Sequence, residues 1–189
     1  MGRWPPDARA RLQEAALALY GERGYDETTV AEIAERAGLT KRTFFRYFTD
    51  KREVLFWGSE LLEQRMVAAI EAAPASASAL SMIGAALDAA AVRFEEVREF
   101  AGLRHRVIAT SRELQERELI KAVSLAAAMA GALQRRGLGG TAATLAAHTG
   151  VTIMHVAFEQ WVDDPNARPF RQVARDALAQ FREIARTGH

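Results

Sequence analysis

The chain has no cysteine, which removes disulfides and thiolate chemistry from any account of it. It has almost no net charge. The 25 Lys and Arg stand against 24 Asp and Glu, a formal +1, so affinity for nucleic acid has to come from local clustering. Long uncharged apolar runs are missing, and no membrane-spanning helix is expected. Met1 to Asp7 is polar and contains proline, unlike a secretory signal, so the expected location is cytoplasmic. Runs of β-branched residues are scarce while alanine is abundant, a bias that favours helix throughout. Nucleophile–base arrangements, phosphate-cradling loops and internal repeats are also lacking. What is there is a chain of 189 residues, 49% apolar and 26% charged, ordinary for a globular protein and long enough for one domain or two small ones.

Positive charge does gather in one stretch. Between Gly38 and Arg52, Lys41, Arg42, Arg46, Lys51 and Arg52 face Asp50 alone. That stretch lies within Thr28 to Lys51, which reads as two short helices joined by a tight turn. Thr29 is an N-cap with Glu32 three residues on, a capping box ahead of an apolar pattern. Val30, Ile33, Ala34 and Ala37 share one helical face, and Gly38 supplies the permissive backbone of a sharp helix end. Thr40 caps a second helix whose inward face is Phe44 and Phe48. A turn this short forces the two helices to cross steeply around one small core. The result is a helix-turn-helix whose second helix is the candidate reader of the DNA major groove. At about 100° per residue, Arg42 and Arg46 point nearly opposite Phe44 and Phe48, with Thr43 beside them and Phe45 and Tyr47 on the flanks. Arg can fork onto guanine O6 and N7, while Lys or Tyr can hold phosphates. A solvated basic face would explain each charge singly, but not the complete capped pair.

Along the rest of the chain, Met1 to Pro6 is a short arm carrying Arg3. Asp7 caps a first helix with Leu12, Ala15, Ala16, Leu19 and Tyr20 inward, ending near Gly21 to Gly24, and Tyr25 and Val30 close the seam behind the helix-turn-helix. From Lys51 one long helix is expected to about Ala73, with Trp57 on its core face and Gly58 its only breaker. Such a helix would be the natural lever between the two ends of the molecule. Pro74 to Ser78 is a linker signal. Helices are then expected over Ala79 to Glu96, Val97 to Thr110, Arg112 to Arg136, from a Thr141 cap to Val162, and from Pro169 to about Arg186. The expected architecture is therefore all-α, about nine helices, divided into residues 1–52 and 53–189.

The pattern Thr-Thr-Val-x-x-Ile-Ala-x-x-Ala-Gly, a small capping residue, then Thr-x-x-x-x-Phe-x-x-Lys is filled here by Thr28 to Gly38, Thr40, Thr43, Phe48 and Lys51. It resembles the DNA-binding domain of the TetR (tetracycline-repressor-like) family of bacterial transcriptional regulators. Two residues depart from that family's habit. Arg42 stands where a small residue is usual, and Phe45 where a Tyr is usual. Phe45 cannot donate to a phosphate, so its contact would be apolar, for example to a thymine methyl, while Arg42 would add a guanine contact. The resemblance implies a double-stranded DNA operator contacted by Thr29, Thr40, Lys41, Arg42, Thr43, Phe45, Arg46, Tyr47 and Lys51, with the N-terminal arm near the minor groove. It further implies a homodimer through the last two long helices, reading a palindrome with recognition helices about 34–36 Å apart. A ligand-responsive repressor with no enzymatic activity and no cofactor follows from the same resemblance.

An effector pocket is implied on the middle helices, with candidates Phe94, Phe100, Leu103, Arg104, Val107, Ile108, Met129, His148, Thr152 and His155. Apolar side chains with few polar ones suit a largely apolar effector. On the helix to Val162, Thr144, His148, Thr152, His155 and Glu159 form a polar stripe. It reads as pocket anchors, as a dimer seam, or as a half-buried polar edge. A metal site is disfavoured, because seven residues of helix separate the two histidines by about 10 Å. Two rival functions remain. One is a constitutive DNA-binding protein without effector. The other is a small helical enzyme using His105, His148, His155 and Glu159, which leaves Thr28 to Lys51 unexplained.

Overall fold

The computed structural model describes residues 7–164 and 166–187. The arm of Met1 to Pro6, expected near the minor groove, and Pro165 of the expected loop lie outside the described residues. Every regular element among the described residues is a helix: α1 Ala8–Arg23, α2 Val30–Arg36, α3 Lys41–Tyr47, α4 Glu53–Phe56, α5 Ser59–Glu71, α6 Ala79–Glu96, α7 Arg98–Ala109, α8 Arg112–Arg135, α9 Gly140–Val162 and α10 Phe170–Thr187. The all-helical expectation holds. One element differs, because the single helix expected from Lys51 to Ala73 is two helices, α4 and α5. Trp57 has an extended ψ of 135°, and Gly58 follows at φ +91°, a left-handed conformation that glycine takes without a Cβ clash. The break turns Trp57 outward, 41% exposed rather than in the core. No continuous lever crosses this point. A smaller correction concerns α9, which starts from Gly139 without a side-chain cap, so Thr141 lies in the first turn and caps nothing.

The chain forms two compact units. The first holds the described residues up to Trp57 together with Gly102–Glu118, and the second holds Gly58–Ala101 and the described residues from Leu119 onward. The unit boundaries fall at 57/58, a few residues after the expected 52/53, and at 101/102 and 118/119, inside α7 and α8.

In the first unit Leu12, Ala16, Leu19, Ile33, Ala34, Phe44, Val54 and Leu55 are buried. Buried polar groups are paired, as burial demands. Gln13 Nε2 donates to the Val54 carbonyl at 3.1 Å, and Tyr20 Oη to the Lys51 carbonyl at 2.6 Å. Burial pushes the Tyr20 phenol well above the ordinary tyrosine range, which keeps it a donor.

The second unit packs α5, α6, α9 and α10 around an apolar core that includes Met66, Ile70, Met82, Ile83, Leu87, Met129 and Leu178. At one end four rings interlock. Phe94 lies 4.8 Å from Phe170, 5.2 Å from Phe158 and 6.2 Å from Trp161, centroid to centroid. Arg98 closes that end by donating to the carbonyls of Trp161 at 2.8 Å and Arg168 at 3.0 Å while lying over the Trp161 ring. It thereby ties the Trp161 carbonyl, in the last turn of α9, to the Arg168 carbonyl of the loop ahead of α10.

Candidate nucleic-acid interface

The reading helix α3 is positioned by fastening α2 at both ends. At its start, Thr29 Oγ1 accepts from the Glu32 amide at 3.3 Å, and the Glu32 carboxylate accepts from the Thr29 amide at 2.9 Å, the reciprocal capping box. The Thr29 amide and hydroxyl, with Arg23 at 2.8 Å, hold the Glu32 carboxyl below the usual carboxylate range. At the far end Leu39 N–H reaches Ala34 O and Gly38 N–H reaches Glu35 O, both at 2.8 Å, with Gly38 at φ +64°. This is a Schellman closure, which needs a residue content with positive φ. Arg11 reinforces it by donating to the Ala37 and Gly38 carbonyls. Thr40 then caps α3 through the Thr43 amide at 3.1 Å, and the two threonine hydroxyls lie 2.9 Å apart. Phe44 and Phe48 point inward, ring centroids 5.6 Å apart, and both are buried. Lys41, Arg42, Phe45 and Arg46 are exposed and Tyr47 is half-buried. Phe45, 51% exposed, lies under the Lys41 ammonium, and Arg46 stacks over Tyr47 at 4.9 Å while donating to its hydroxyl at 3.1 Å.

The first unit sorts its cations sharply. Arg23 pairs with Glu32, Arg36 with Glu22, Arg52 with Asp50 and Glu113, Arg104 with Glu118, Arg112 with Glu116 and Arg117 with Glu53. Arg11 and Lys51 are taken up by backbone carbonyls. Among the described residues, Arg9, Lys41, Arg42, Arg46 and Arg106 have neither carboxylate nor carbonyl partner. Three of these five are on α3, and Arg9 stacks on its Tyr47.

Lys51 is held by the protein itself. Expected among the DNA contacts, it donates instead to the carbonyls of Tyr25 at 2.8 Å, Asp26 at 3.2 Å and Thr28 at 3.0 Å, and lies over the Tyr25 ring. An ammonium has three donors, and all are used. It is a brace for the loop entering α2. Arg9 was not foreseen, because the rings it meets are Tyr47 and Trp57, far along the chain.

The ten pocket candidates do not gather within either unit. Leu103, Arg104, Val107 and Ile108 belong to the first and the other six to the second. Arg104 is occupied by the Leu55 carbonyl at 2.7 Å and by Glu118 at 2.9 Å. Phe94 belongs to the ring cluster, Met129 is buried, and Phe100 is half-buried. His148, Thr152 and His155 are exposed on α9, with Thr152 bonded back to the His148 carbonyl and His155 3.4 Å from Glu159. Two open clefts of about 510 and 240 Å³ lie in the first unit, and none of the ten residues lines either. No group of three His, Cys, Asp or Glu among the described residues is arranged to hold a metal, and no described helix is long and apolar enough to cross a membrane.

A capped three-helix unit that leaves the cations of its third helix unpaired defines a helix-turn-helix DNA-binding module. Residues 12–56 match the family model described as bacterial regulatory proteins, tetR family. The chain is 37% identical over 81 residues to the HTH-type transcriptional regulator TcmR of Streptomyces glaucescens, a match covering 43% of this chain but only 36% of TcmR. It is 26% identical over 160 residues to MftR of Mycobacterium tuberculosis, a protein named as a regulator of mycofactocin biosynthesis, covering 81% of this chain and 79% of MftR. Among solved structures, FadR of Bacillus subtilis in complex with stearoyl-CoA shares the fold, with a TM-score of 0.64 at 18% identity over 95% of this chain and 98% of that one. Residues 12–56 thus carry the helix-turn-helix domain of the bacterial tetR-family regulatory proteins, and the chain as a whole has a fold seen in regulators of that kind.

Proposed function

We propose that the chain is a transcriptional repressor that binds a palindromic operator as a homodimer and is released by a small, largely apolar effector. The observation that carries this reading is the sorting of cations. Carboxylates or carbonyls take up the other cations of the first unit apart from Arg9 and Arg106, while Lys41, Arg42 and Arg46 stay unpaired on the outward face of a capped helix. Thr40, Thr43, Phe45 and Tyr47 surround them, giving a surface on which Arg reads guanine edges and Tyr47 and Lys41 hold phosphates. Thr29 contributes from the start of α2.

Dimerisation draws on α9 and α10. Leu145 is 65% exposed and Val156 39%, on the same α9 face as His148, Thr152 and His155, and Ile184 of α10 is 68% exposed. An apolar face of this kind with a polar stripe suits a second copy of the chain. FadR, bound to stearoyl-CoA in its crystal, supports an acyl-chain effector for the second unit, whose core is apolar and rich in small residues. Occupancy there would reach α3 where the chain passes from one unit to the other, at the Gly58 break and within α7 and α8.

A mobility-shift titration at one stated salt concentration, on the DNA upstream of its own gene and on fragments selected from the genome, tests the reading. Wild type is expected to shift a specific fragment, Arg46→Ala to weaken that shift, and stearoyl-CoA to release it. Absence of any sequence-specific fragment would overturn the repressor reading. Binding insensitive to acyl-CoA and to other apolar ligands would leave constitutive DNA binding.

A further inference from the structure

We propose that Arg9 is a phosphate-binding residue, its guanidinium held between the rings of Tyr47 and Trp57 so that it grips a phosphodiester of the DNA backbone beside α3. The proposal rests on the DNA-binding reading above and adds to it a residue outside the helix-turn-helix motif.

Arg9 Cζ lies 5.2 Å from the Tyr47 ring centroid and 5.3 Å from that of Trp57. Two rings fix a planar cation in place by cation–π attraction. No carboxylate or carbonyl among the described residues bonds to the guanidinium, and its Nε is buried without a partner. Buried N–H groups are nearly always paired, so an orphan beside a cation marks a missing acceptor.

The position is not explained by the helix that carries it. Arg9 stands in the first turn of α1, where the helix dipole disfavours a cation, and the Asp7 carboxylate there accepts from the Arg9 and Ala10 amides instead. Trp57 is not explained by burial either, since the Gly58 break leaves it 41% exposed. Arg46 shares the Tyr47 ring at 4.9 Å and also lacks a carboxylate. Two unpaired guanidiniums on one tyrosine form a local excess of positive charge that an anion relieves. The planar fork of Arg matches phosphate oxygens, and a phosphate contact of this kind sets register rather than reading sequence.

The test is the salt dependence of DNA binding by the full-length chain, followed by anisotropy of a labelled duplex of random sequence and of a selected operator duplex. Removing a phosphate contact lowers the slope of log K against log salt by about 0.9 per contact, which amounts to roughly tenfold in affinity per subunit near 0.1 M salt. Arg9→Gln is expected to lower the slope by about 0.9 for each subunit bound and to weaken both duplexes alike. Arg9→Lys, which keeps the charge, is expected to keep the slope. If Arg9→Gln weakens binding equally at every salt concentration, or if Arg9→Lys loses the slope too, Arg9 only braces α1 and the proposal falls. Thermal unfolding of both variants tells a lost contact from a lost fold. Wild type that binds neither duplex would overturn the DNA-binding reading itself, an outcome distinct from an unchanged slope.

Discussion

In the first unit the helix ends are fastened by identifiable polar bonds: Asp7 on α1, Thr29 with Glu32 on α2, Arg11 on the far end of α2, and Thr40 on α3. In the second unit the long helices are held by buried apolar surface, with four rings at one end and α9 starting from a bare glycine. The contrast follows from size. The first unit is the smaller of the two and has less apolar area to bury, so it relies more on caps and clamps, each a small and local term. A larger bundle supplies more of its stability through packing, so it can leave α9 without a side-chain N-cap even though Ser78 caps α6 and Arg98 clamps the end of α9. For function the lesson is that the first unit can place its charges deliberately. Carboxylates take up the cations that hold it together, and those on α3 remain available.

The largest effects come from breaking either core, and they make the comparison quantitative. Phe44 and Trp161 are both fully buried. Phe44→Ala and Trp161→Ala are each expected to cost about 3–5 kcal/mol, read by chemical denaturation. Phe44→Ala should also abolish DNA binding, because the aromatic support of α3 goes with it. Unaltered DNA binding by Phe44→Ala would mean that α3 is not the reading helix.

Lys51→Met sharpens the distinction between brace and contact. Three carbonyls lose a charged donor, an expected loss of about 1.5–3 kcal/mol of stability, with the salt slope of DNA binding unchanged. A slope lower by about 0.9 with stability intact would restore Lys51 to the phosphate contacts. Arg46→Ala is the converse case. Among the described residues its guanidinium bonds and stacks on Tyr47 alone, so stability should stay within about 0.5 kcal/mol of wild type, while operator binding weakens by about 1–3 kcal/mol. Equal loss on operator and random duplex would make Arg46 a backbone contact and not a base reader.

Legibility in the sequence followed the range of the interactions. Thr29 with Glu32, Thr40, and the Gly38 turn were readable because cap and partner lie within five residues, and the inward Phe44 and Phe48 follow from helical periodicity. The carbonyls that hold Lys51 lie 23 to 26 residues earlier in the chain, where no local pattern exposes them. Arg9 was missed for the same reason. The break at Gly58 was passed over because a glycine inside a helical pattern costs only about 1 kcal/mol, too little to outweigh apolar residues on both sides. Arg104 was placed in a pocket by its apolar neighbours, but the Leu55 carbonyl that occupies it comes from another part of the fold. Caps are local chemistry; an effector site is assembled from distant pieces.

The smallest effect tests whether the local fastening of the first unit matters at all. Thr29→Ala removes the cap of α2 and is expected to cost about 1 kcal/mol at neutral pH, measured by denaturation. The same substitution removes the hydroxyl bond to the Glu32 carboxyl, one of the contacts that hold it below its ordinary value, while the amide of residue 29 and Arg23 remain. A carboxyl depressed in the folded state stabilises the fold above the unfolded-state value, and that contribution fades as the pH falls through the lower folded-state value. Wild type should therefore lose stability from about pH 4 downward more steeply than Thr29→Ala, and the difference between the two should narrow as the pH drops. A gap that stays constant from neutral pH into acid would show that the hydroxyl acts on the α2 amide alone. The bond from the Thr29 hydroxyl to the Glu32 carboxylate would then contribute nothing measurable to holding the reading helix in place.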